Sequence, residues 1–411
     1  MFPNLLFMTR LLRGIWFSRR ITDISMASKL TPIEILEKLV AFPTVSRDTN
    51  LPLVDWVEDY LNSHDIDCHR YYHESGEKAA IMAHVGPEIA GGVVLSGHTD
   101  VVPTEGQPWA TDPYTLVERD GLLYGRGSCD MKGFDALSIW AMVEGKTRPL
   151  TRPLQLALSF DEEVGCTGAP PMIARMQDIF PKAKLAIIGE PSMMKVVTSH
   201  KGSQVHRTHI TGYEVHSSNP TLGVSAILEA GHLINWANQV NEENAKKTPT
   251  ATASLFEPPW TTAHIGTIHG GTAQNITAKD CVFGIDFRVV PGEDGHDWEM
   301  KYREEVRRVE AAMQAVRPET SIKIETRAYV PGLRPEENGA AETLARSITG
   351  DNGTHVVSYG TEAGQFQDAG YSACICGPGD IAQAHQANEF ISIAQMNEGQ
   401  KFMGRLLERM M

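Results

Sequence analysis

The segment GHTDVV, residues 97–102, places a histidine and an aspartate two positions apart at the end of the apolar run VVLS. In an extended strand, residues i and i+2 point to the same side, so His98 and Asp100 are expected to face one cleft. An imidazole there can bind a metal ion while a carboxylate holds its second ring nitrogen. A hydrogen-bonded histidine near a turn explains the same pair, so the rest of the sequence must decide between the two interpretations.

Four further segments carry residues of metal-binding type: Asp130 in SCDMKG, Glu162 and Glu163 in DEEVG, Glu190 in GEP, and His385 in AHQANE. Imidazole together with carboxylate favours borderline metals such as zinc or cobalt, and one carboxylate can bridge two ions. Taken singly, each segment also fits an acidic turn, a loop or a helix cap. Their occurrence together in one domain predicts a site for two metal ions.

The elements that must position these residues alternate between strands and helices. DALSIWAMVEG has the pattern of a helix, and the strand-like runs are AAIMAHV, GGVVLSGH, LQLALSF and KLAIIGE. This alternation predicts an α/β layer fold with a mixed, mostly parallel sheet. Reactive groups in such sheets gather at the carboxyl ends of the strands, where we expect all five metal-binding segments to lie.

The pattern changes between residues 199 and 330. Strand, helix, strand, strand, helix and strand follow one another there, which is the split βαβ or ferredoxin-like arrangement. The α/β character returns near Leu333. We therefore expect a discontinuous catalytic domain, residues 26–198 and 331–411, with an inserted second domain at 199–330.

Residues 1–25 contain four arginines and no acidic residue before Asp23. They fit a transit-like peptide, a basic amphipathic arm, or sequence translated ahead of a start at Met26, and the last interpretation is favoured. A capping box of Thr31 and Glu34 around Pro32 predicts that the first helix begins shortly after Met26. The extension is therefore not expected to form part of the fold.

Composition limits the classes of function. A net charge of −14 argues against nucleic acid as a partner, because a phosphate-binding surface normally carries a basic excess. Six scattered cysteines without paired spacing fit a reducing compartment, so we expect a cytoplasmic protein. No apolar run has the length that a membrane span requires.

The chain resembles one di-zinc deacylase and peptidase family in a series of motifs. In order, these are GHTDVVP, DGLLYGRGSCDMKG, DEEVG, GEP and AHQANE. That family includes acetylornithine deacetylase, succinyl-diaminopimelate desuccinylase, aminoacylase and carboxypeptidase G, and the resemblance covers essentially everything after the extension. It implies a zinc-peptidase-like catalytic domain that binds two Zn²⁺ ions, for which Co²⁺ can substitute. In that family pattern, His98 and Glu190 would hold one metal ion, and Glu163 and His385 would hold the other. Asp130 would bridge the two ions. Asp100 would orient His98, and Glu162 would be the general base.

The same resemblance implies that the inserted domain is a lid that also forms a homodimer. It matches His216 in GYEVHSSNP to a lid histidine that reaches the neighbouring subunit's site in dimeric relatives. Asn275 in GGTAQNITA and Arg288 in DFRVVP match residues that contact the oxyanion region and the substrate carboxylate. Without the resemblance, His216 fits an exposed turn and Arg288 a surface strand.

Hydrolysis of an N-acyl amino acid is the reaction that these features predict, by metal-activated water with a glutamate base. Within the family, YGTEAGQF and CGPGDIAQAHQANEF most resemble the acetylornithine deacetylase branch, which implies N-acetylornithine and a step of arginine biosynthesis. Glu362 in the first segment is the candidate for the substrate amine, or else a loop carboxylate or helix cap. The alternatives are a desuccinylase, a broad aminoacylase, an aminopeptidase of another two-zinc family, and a non-catalytic amino-acid-binding scaffold.

Overall fold

The computed structural model describes residues 28–411, so the expectations for residues 1–25 lie outside the described residues. The helices are α1 (Pro32–Val40), α2 (Leu51–Asn62), α3 (Lys132–Lys146), α4 (Ala169–Ile179), α5 (Ala226–Ala245), α6 (Gly295–Val316), α7 (Ala340–Thr349), α8 (Ala363–Asp368) and α9 (Ile393–Met410). The strands are β1 (Cys68–Tyr72), β2 (Ala79–Val85), β3 (Val93–His98), β4 (Val117–Arg119), β5 (Leu122–Tyr124), β6 (Leu154–Ser159), β7 (Leu185–Pro191), β8 (Val197–His200), β9 (Gly202–Thr211), β10 (Thr262–Gly270), β11 (Asp280–Val289), β12 (Ser321–Val330), β13 (His355–Val357), β14 (Ser372–Gly377) and β15 (Phe390–Ser392).

The larger sheet has eight strands in the order β1-β2-β6-β3-β7-β14-β8-β13. Its centre is parallel, because β3 pairs in parallel with both β6 and β7, and β7 with β14. Antiparallel pairs occur at β1 with β2, at β2 with β6, and at β14 with β8. The sheet is therefore mixed, and its parallel centre brings several strand ends to one edge.

Helices cover both faces of this sheet. The larger hydrophobic core includes α1, α2, α3, α7 and α9 on one face, and the smaller one includes α4 and α8 on the other. The first helix begins as the sequence predicts, because Thr31 accepts a hydrogen bond from the Glu34 N–H and the Glu34 carboxylate accepts one from the Thr31 N–H. The buried strands are consequently apolar along nearly their whole length.

The smaller sheet has four antiparallel strands in the order β10-β11-β9-β12, and all its elements fall between Gly202 and Val330. With α5 and α6 in a core of their own against it, the order along the chain is βαββαβ, as the sequence predicts. The inward residues of β11 alternate strictly, so Phe283, Ile285 and Phe287 are buried between more exposed neighbours. The smaller sheet therefore has a hydrophobic core that is separate from the two cores of the larger sheet.

Within residues 28–411, the structure contains no helix that is both long and apolar enough to span a bilayer. A third sheet of three short strands has the order β15-β5-β4 and combines both halves of the larger fold, because β4 and β5 precede the smaller sheet in sequence and β15 follows it. It joins the chain just before Asp130 to the chain just after His385, since β5 pairs with β15. The fold thereby connects two segments that are more than 250 residues apart.

Candidate metal centre

The ends of three neighbouring strands bring candidate ligands to one edge of the larger sheet. His98 is the last residue of β3, and Glu190 is the penultimate residue of β7. Glu162 and Glu163 follow β6. Asp130 departs from the expected strand end, because it lies in the turn that leads into α3. His385 follows a short 3₁₀ turn after β14. The centre therefore combines strand ends with a helix start.

Close packing requires glycine immediately before two of these residues. A Cβ atom on Gly97 would lie 2.1 Å from Oδ1 of Asp135, and one on Gly189 would lie 1.9 Å from the ring of Phe134. Asp135 and Phe134 belong to α3, so the strands approach that helix too closely for any side chain. The dipeptides GH and GE thus reflect how tightly α3 packs beneath the centre.

One group of possible ligands consists of His98, Asp130 and Glu190, which are all buried. Nε2 of His98 lies 3.2 Å from Oδ1 of Asp130 and 3.9 Å from Oε1 of Glu190. On its other side, Nδ1 of His98 lies 2.9 Å from the backbone oxygen of Asp100 and 3.6 Å from Oδ1 of that residue. Asp100 therefore contacts His98 mainly through its carbonyl, which leaves Nε2 free to face the centre.

The Asp100 carboxylate holds the turn that carries the two glutamates. It accepts hydrogen bonds from the backbone N–H of Glu162 at 3.1 Å and of Glu163 at 3.3 Å. The hydroxyl of Ser46 also donates to it, at 2.7 Å. Asp100 thus connects His98 to the DEEVG turn.

The second group consists of Asp130, Glu163 and His385. Nε2 of His385 lies 3.0 Å from Oε2 of Glu163 and 3.3 Å from Oδ2 of Asp130. Asp130 thus presents one carboxylate oxygen to each group, as a bridging ligand must. Glu162 is partly buried beside both groups and belongs to neither of them.

The electrostatics of the centre are those of crowded carboxylates. Burial, with repulsion from Glu163 and Asp130, raises the pKa of Glu162 to about 8, and burial with repulsion from Asp130 raises the pKa of Glu163 to about 7. Hydrogen bonds to Asp130 and Glu163 raise the pKa of His385 to about 10. Burial also raises the pKa of Glu190 well above its usual range. Added positive charge would relieve this repulsion.

The residues fit a pair of divalent cations. In each group the candidate ligand atoms lie within 4.8 Å of one another, and the donor set of two imidazoles and several carboxylates suits borderline metals. Oε1 of Glu190 is buried without a hydrogen-bond partner among the described residues, although buried carboxylate oxygens are normally satisfied. A cation bound by His98, Asp130 and Glu190 would supply the missing partner of this Glu190 oxygen.

A cavity of about 490 Å³ opens onto both groups. Its wall includes Asp130, Glu162, Glu163, Glu190 and His385 from the larger fold. The smaller sheet contributes Ser203, Val205 and Arg288. Nε of Arg288 lies 2.8 Å from Oδ2 of Asp286, which leaves its remaining nitrogens available to an anion in the cavity.

Five predicted site residues are not among the described residues that line this cavity. His98 and Asp100 are buried at and just after the end of β3. His216 and Asn275 lie together on exposed loops of the smaller domain, joined by the Ser217 N–H donating to the Asn275 oxygen at 2.9 Å. Glu362 is buried at the start of α8, where it accepts hydrogen bonds from Ser96 at 3.2 Å and from Ser159. The predicted site residues that line the cavity are therefore Asp130, Glu162, Glu163, Glu190, Arg288 and His385.

Two cavity residues were missed from the sequence. The Tyr359 hydroxyl is buried without a partner among the described residues, and Sγ of Cys166 lies 3.2 Å from Oε1 of Glu162. Tyr359 lies in the motif YGTEAGQF and Cys166 directly follows DEEVG, but neither a tyrosine nor a cysteine has a spacing that marks it. Only their proximity to the carboxylates identifies them.

A cluster of imidazoles and carboxylates at the edge of a mixed α/β sheet, beneath a second domain, defines a metallohydrolase. Residues 94–409 match the Peptidase family M20/M25/M40, and the chain belongs to that family. The resemblance read from the sequence is thereby confirmed.

Curated relatives agree with this assignment. The chain is 33% identical over 377 residues to acetylornithine deacetylase of Myxococcus xanthus, an alignment that covers 88% of this chain and 92% of that protein. It is 31% identical to acetylornithine deacetylase of Proteus mirabilis, covering 92% of this chain and 96% of the relative. The chain therefore resembles these enzymes over nearly its whole length.

Solved structures share the fold. An M20 family metallo-carboxypeptidase from Sulfolobus solfataricus superposes with a TM-score of 0.76 at 14% identity, covering 92% of this chain and 99% of that one. A dinuclear metal-binding peptidase of the M20 family from Bacillus subtilis superposes with a TM-score of 0.62 at 13% identity, covering 92% and 97%. The two-domain architecture is thus that of the M20 family.

Proposed function

We propose that the protein hydrolyses an N-acyl amino acid with two metal ions, and that its substrate is N-acetylornithine, which it converts to ornithine and acetate. The observation that carries the proposal is the position of Asp130, whose two carboxylate oxygens face two separate groups of candidate ligands. Glu162 lies beside these groups and belongs to neither. The similarity to acetylornithine deacetylases over most of the chain supports the substrate.

In this proposal, His98 and Glu190 would hold one ion, Glu163 and His385 would hold the other, and Asp130 would bridge the two. The ions would be Zn²⁺, with Co²⁺ able to replace it, because the donors are imidazole and carboxylate. When bound, they would lower the pKa of a water molecule and polarise the substrate carbonyl.

Glu162 would accept a proton from the attacking water and deliver it to the departing nitrogen. It is well placed for both transfers, since it lines the cavity. The raised pKa of about 8 favours the second transfer, while bound cations would favour the carboxylate needed for the first. Arg288, on the opposite wall, would grip the substrate carboxylate.

The inserted domain, residues 199–330, would act as a lid over this cavity and as the contact between two subunits. Exposed apolar side chains on its outer elements support the second role, among them Leu222, Ile227, Leu228 and Ile268. In such a dimer, His216 and Asn275 would reach the partner's cavity, since they do not line their own. All six cysteines are free, which supports the cytoplasm as the compartment.

A hydrolysis panel tests the proposal directly. The metal-loaded protein is assayed on N-acetylornithine, N-succinyl-diaminopimelate, N-acetylmethionine and an unblocked dipeptide, with the metal-stripped protein as the control. We expect the highest kcat/KM on N-acetylornithine and no turnover after metal removal. A preference for the succinylated substrate would assign the protein to the desuccinylase branch, and turnover of the dipeptide alone would indicate an aminopeptidase.

A further inference from the structure

Arg126 and Glu389 form a buried ion pair beside the candidate metal centre. Nη1 of Arg126 lies 2.7 Å from Oε2 of Glu389, and both side chains are only 1% exposed. Removing two charges from water is costly unless their remaining hydrogen-bonding groups are satisfied. The partners of this pair are therefore informative about what it does.

Glu389 holds the backbone on which Asp130 stands. Its Oε1 accepts hydrogen bonds from the N–H of Cys129 at 2.9 Å and from the N–H of Asp130 itself at 3.1 Å. These two bonds fix the peptide from which the Asp130 carboxylate projects. A change at Glu389 would consequently redirect that carboxylate.

Arg126 reaches the backbone around His385. Its Nη1 donates to the Gln386 oxygen at 3.3 Å, and its Nη2 donates to the side-chain oxygen of Gln107. Nε2 of Gln107 in turn donates to the His385 oxygen at 2.9 Å. His385 has a φ of 64°, in the left-handed region that residues other than glycine rarely occupy. Its loop therefore depends on such external hydrogen bonds for its conformation.

The network is asymmetric with respect to the two ligand groups. Among the described residues, none of the hydrogen bonds made by Arg126, Glu389 or Gln107 reaches His98 or Glu190. Those two side chains instead project from β3 and β7, which the large sheet holds in place. The group of Asp130, Glu163 and His385 has no comparable support from strands at either Asp130 or His385.

We propose that Gln107, Arg126 and Glu389 are positioning residues that act on the two metal ions unequally. Glu389 sets the direction of the Asp130 carboxylate, which faces both ligand groups, and so affects the affinity of both ions. Gln107 supports the His385 loop and so affects only the ion held by Asp130, Glu163 and His385, while Arg126 connects Gln107 to Glu389. The inference rests on the proposed two-metal function.

The test is a Co²⁺ titration of the metal-stripped full chain by calorimetry, on the unsubstituted protein and on Glu389→Gln, Gln107→Ala and His385→Ala. We expect Glu389→Gln to weaken both binding events about 10- to 100-fold, the scale of a lost partner behind a metal ligand. Gln107→Ala should weaken only one of them. Added to His385→Ala, Gln107→Ala should have little further effect, because the event it controls is already lost.

Glu336→Gln is the matched control. Glu336 also joins separate segments, accepting hydrogen bonds from the Ala373 N–H at 3.1 Å and from the Ser372 hydroxyl at 2.6 Å, yet it lies away from both ligand groups. Its substitution should change neither affinity. The thermal midpoint of each metal-stripped variant separates lost positioning from lost folding.

Unchanged affinities in Glu389→Gln and Gln107→Ala would overturn the inference, as would an equal loss at both sites in Gln107→Ala. Should Glu389→Gln not fold, Gln107→Ala decides alone, because it leaves the ion pair in place. An unsubstituted protein that binds fewer than two Co²⁺ ions would instead refute the proposed two-metal function, and the inference with it.

Discussion

At the scale of single residues, the proposed metal ligands lie next to the proposed general base, Glu162, and the two kinds of residue would have different roles. Asp130 faces both ligand groups, whereas Glu162 is adjacent to a candidate ligand and remains outside each group. The two glutamates of DEEVG are neighbours in sequence and differ only in the direction of their side chains. Their substitution should therefore have different consequences.

Glu162→Gln is expected to lower kcat by at least about a hundredfold, since it removes proton transfer while preserving the shape of the side chain. Metal content should remain near two ions per chain. Steady-state kinetics and metal analysis of the same preparation measure both quantities. Glu163→Gln provides the comparison, because it should release metal; near-normal turnover in Glu162→Gln would exclude Glu162 as the base.

The sequence motif suggests that Glu362 contacts the substrate amine, but the burial of its side chain leads us to expect a different effect of its substitution. Its carboxylate is 1% exposed and bonded to Ser96 and Ser159, so a substrate amine in the cavity would not reach it without rearrangement. Glu362→Gln is therefore expected to lower kcat/KM on N-acetylornithine and on N-acetylmethionine by similar factors. A loss of about 1.5–3 kcal/mol confined to N-acetylornithine would instead support contact with the amine.

At the scale of elements, β8 carries a buried histidine just before the first strand of the smaller sheet. His200 is fully buried, its Nδ1 lies 2.8 Å from the Lys201 oxygen, and burial lowers its pKa to about 4. An unfolded histidine has a pKa near 6.5, so the unfolded chain binds the proton first as the pH falls. His200 thus favours the folded state above pH 6.5 and loses that contribution between about pH 6.5 and 4.

His200→Asn is expected to flatten this part of the stability profile, since an amide can donate to the Lys201 oxygen but does not titrate. The difference between the two proteins should change by up to about 1.4 kcal/mol per pH unit in that window. Urea unfolding of the metal-stripped proteins at several pH values measures it, and removes any contribution from metal release. Parallel profiles for the two proteins would contradict the assignment.

At the scale of the whole molecule, the cavity lacks two of the lid residues that the family resemblance implies. His216 and Asn275 are exposed and do not line it, whereas Arg288 does. A second copy bound through the lid would supply the missing residues and complete the oxyanion pocket on closure. The proposed dimer is therefore also a proposal about catalysis.

Mixing Glu162→Gln with His216→Ala and allowing subunits to exchange is expected to restore part of the activity. One site in each mixed dimer would then combine an intact base with an intact partner histidine. Activity is followed over time against each variant alone, with exchange monitored by native mass spectrometry. Complete exchange without recovery would mean that His216 acts within its own chain.

The sequence by itself determined the elements and the ligand types. Apolar periodicity, capping residues and glycines act over a few positions, so the strands, α3 and the βαββαβ order are predictable, and so is the presence of ligands after strands. The family motifs then indicate which of those side chains belong together.

Only the tertiary structure decided how those side chains meet. The contacts of Glu389 with Asp130, of Glu362 with Ser96 and Ser159, and of Gln107 with His385 join residues more than 200 positions apart. Such distances depend on strand order and on how α3 packs beneath the sheet, which no local pattern encodes. For the same reason, the burial of Glu362 and the supporting pair Arg126 and Glu389 became visible only once the chain was folded.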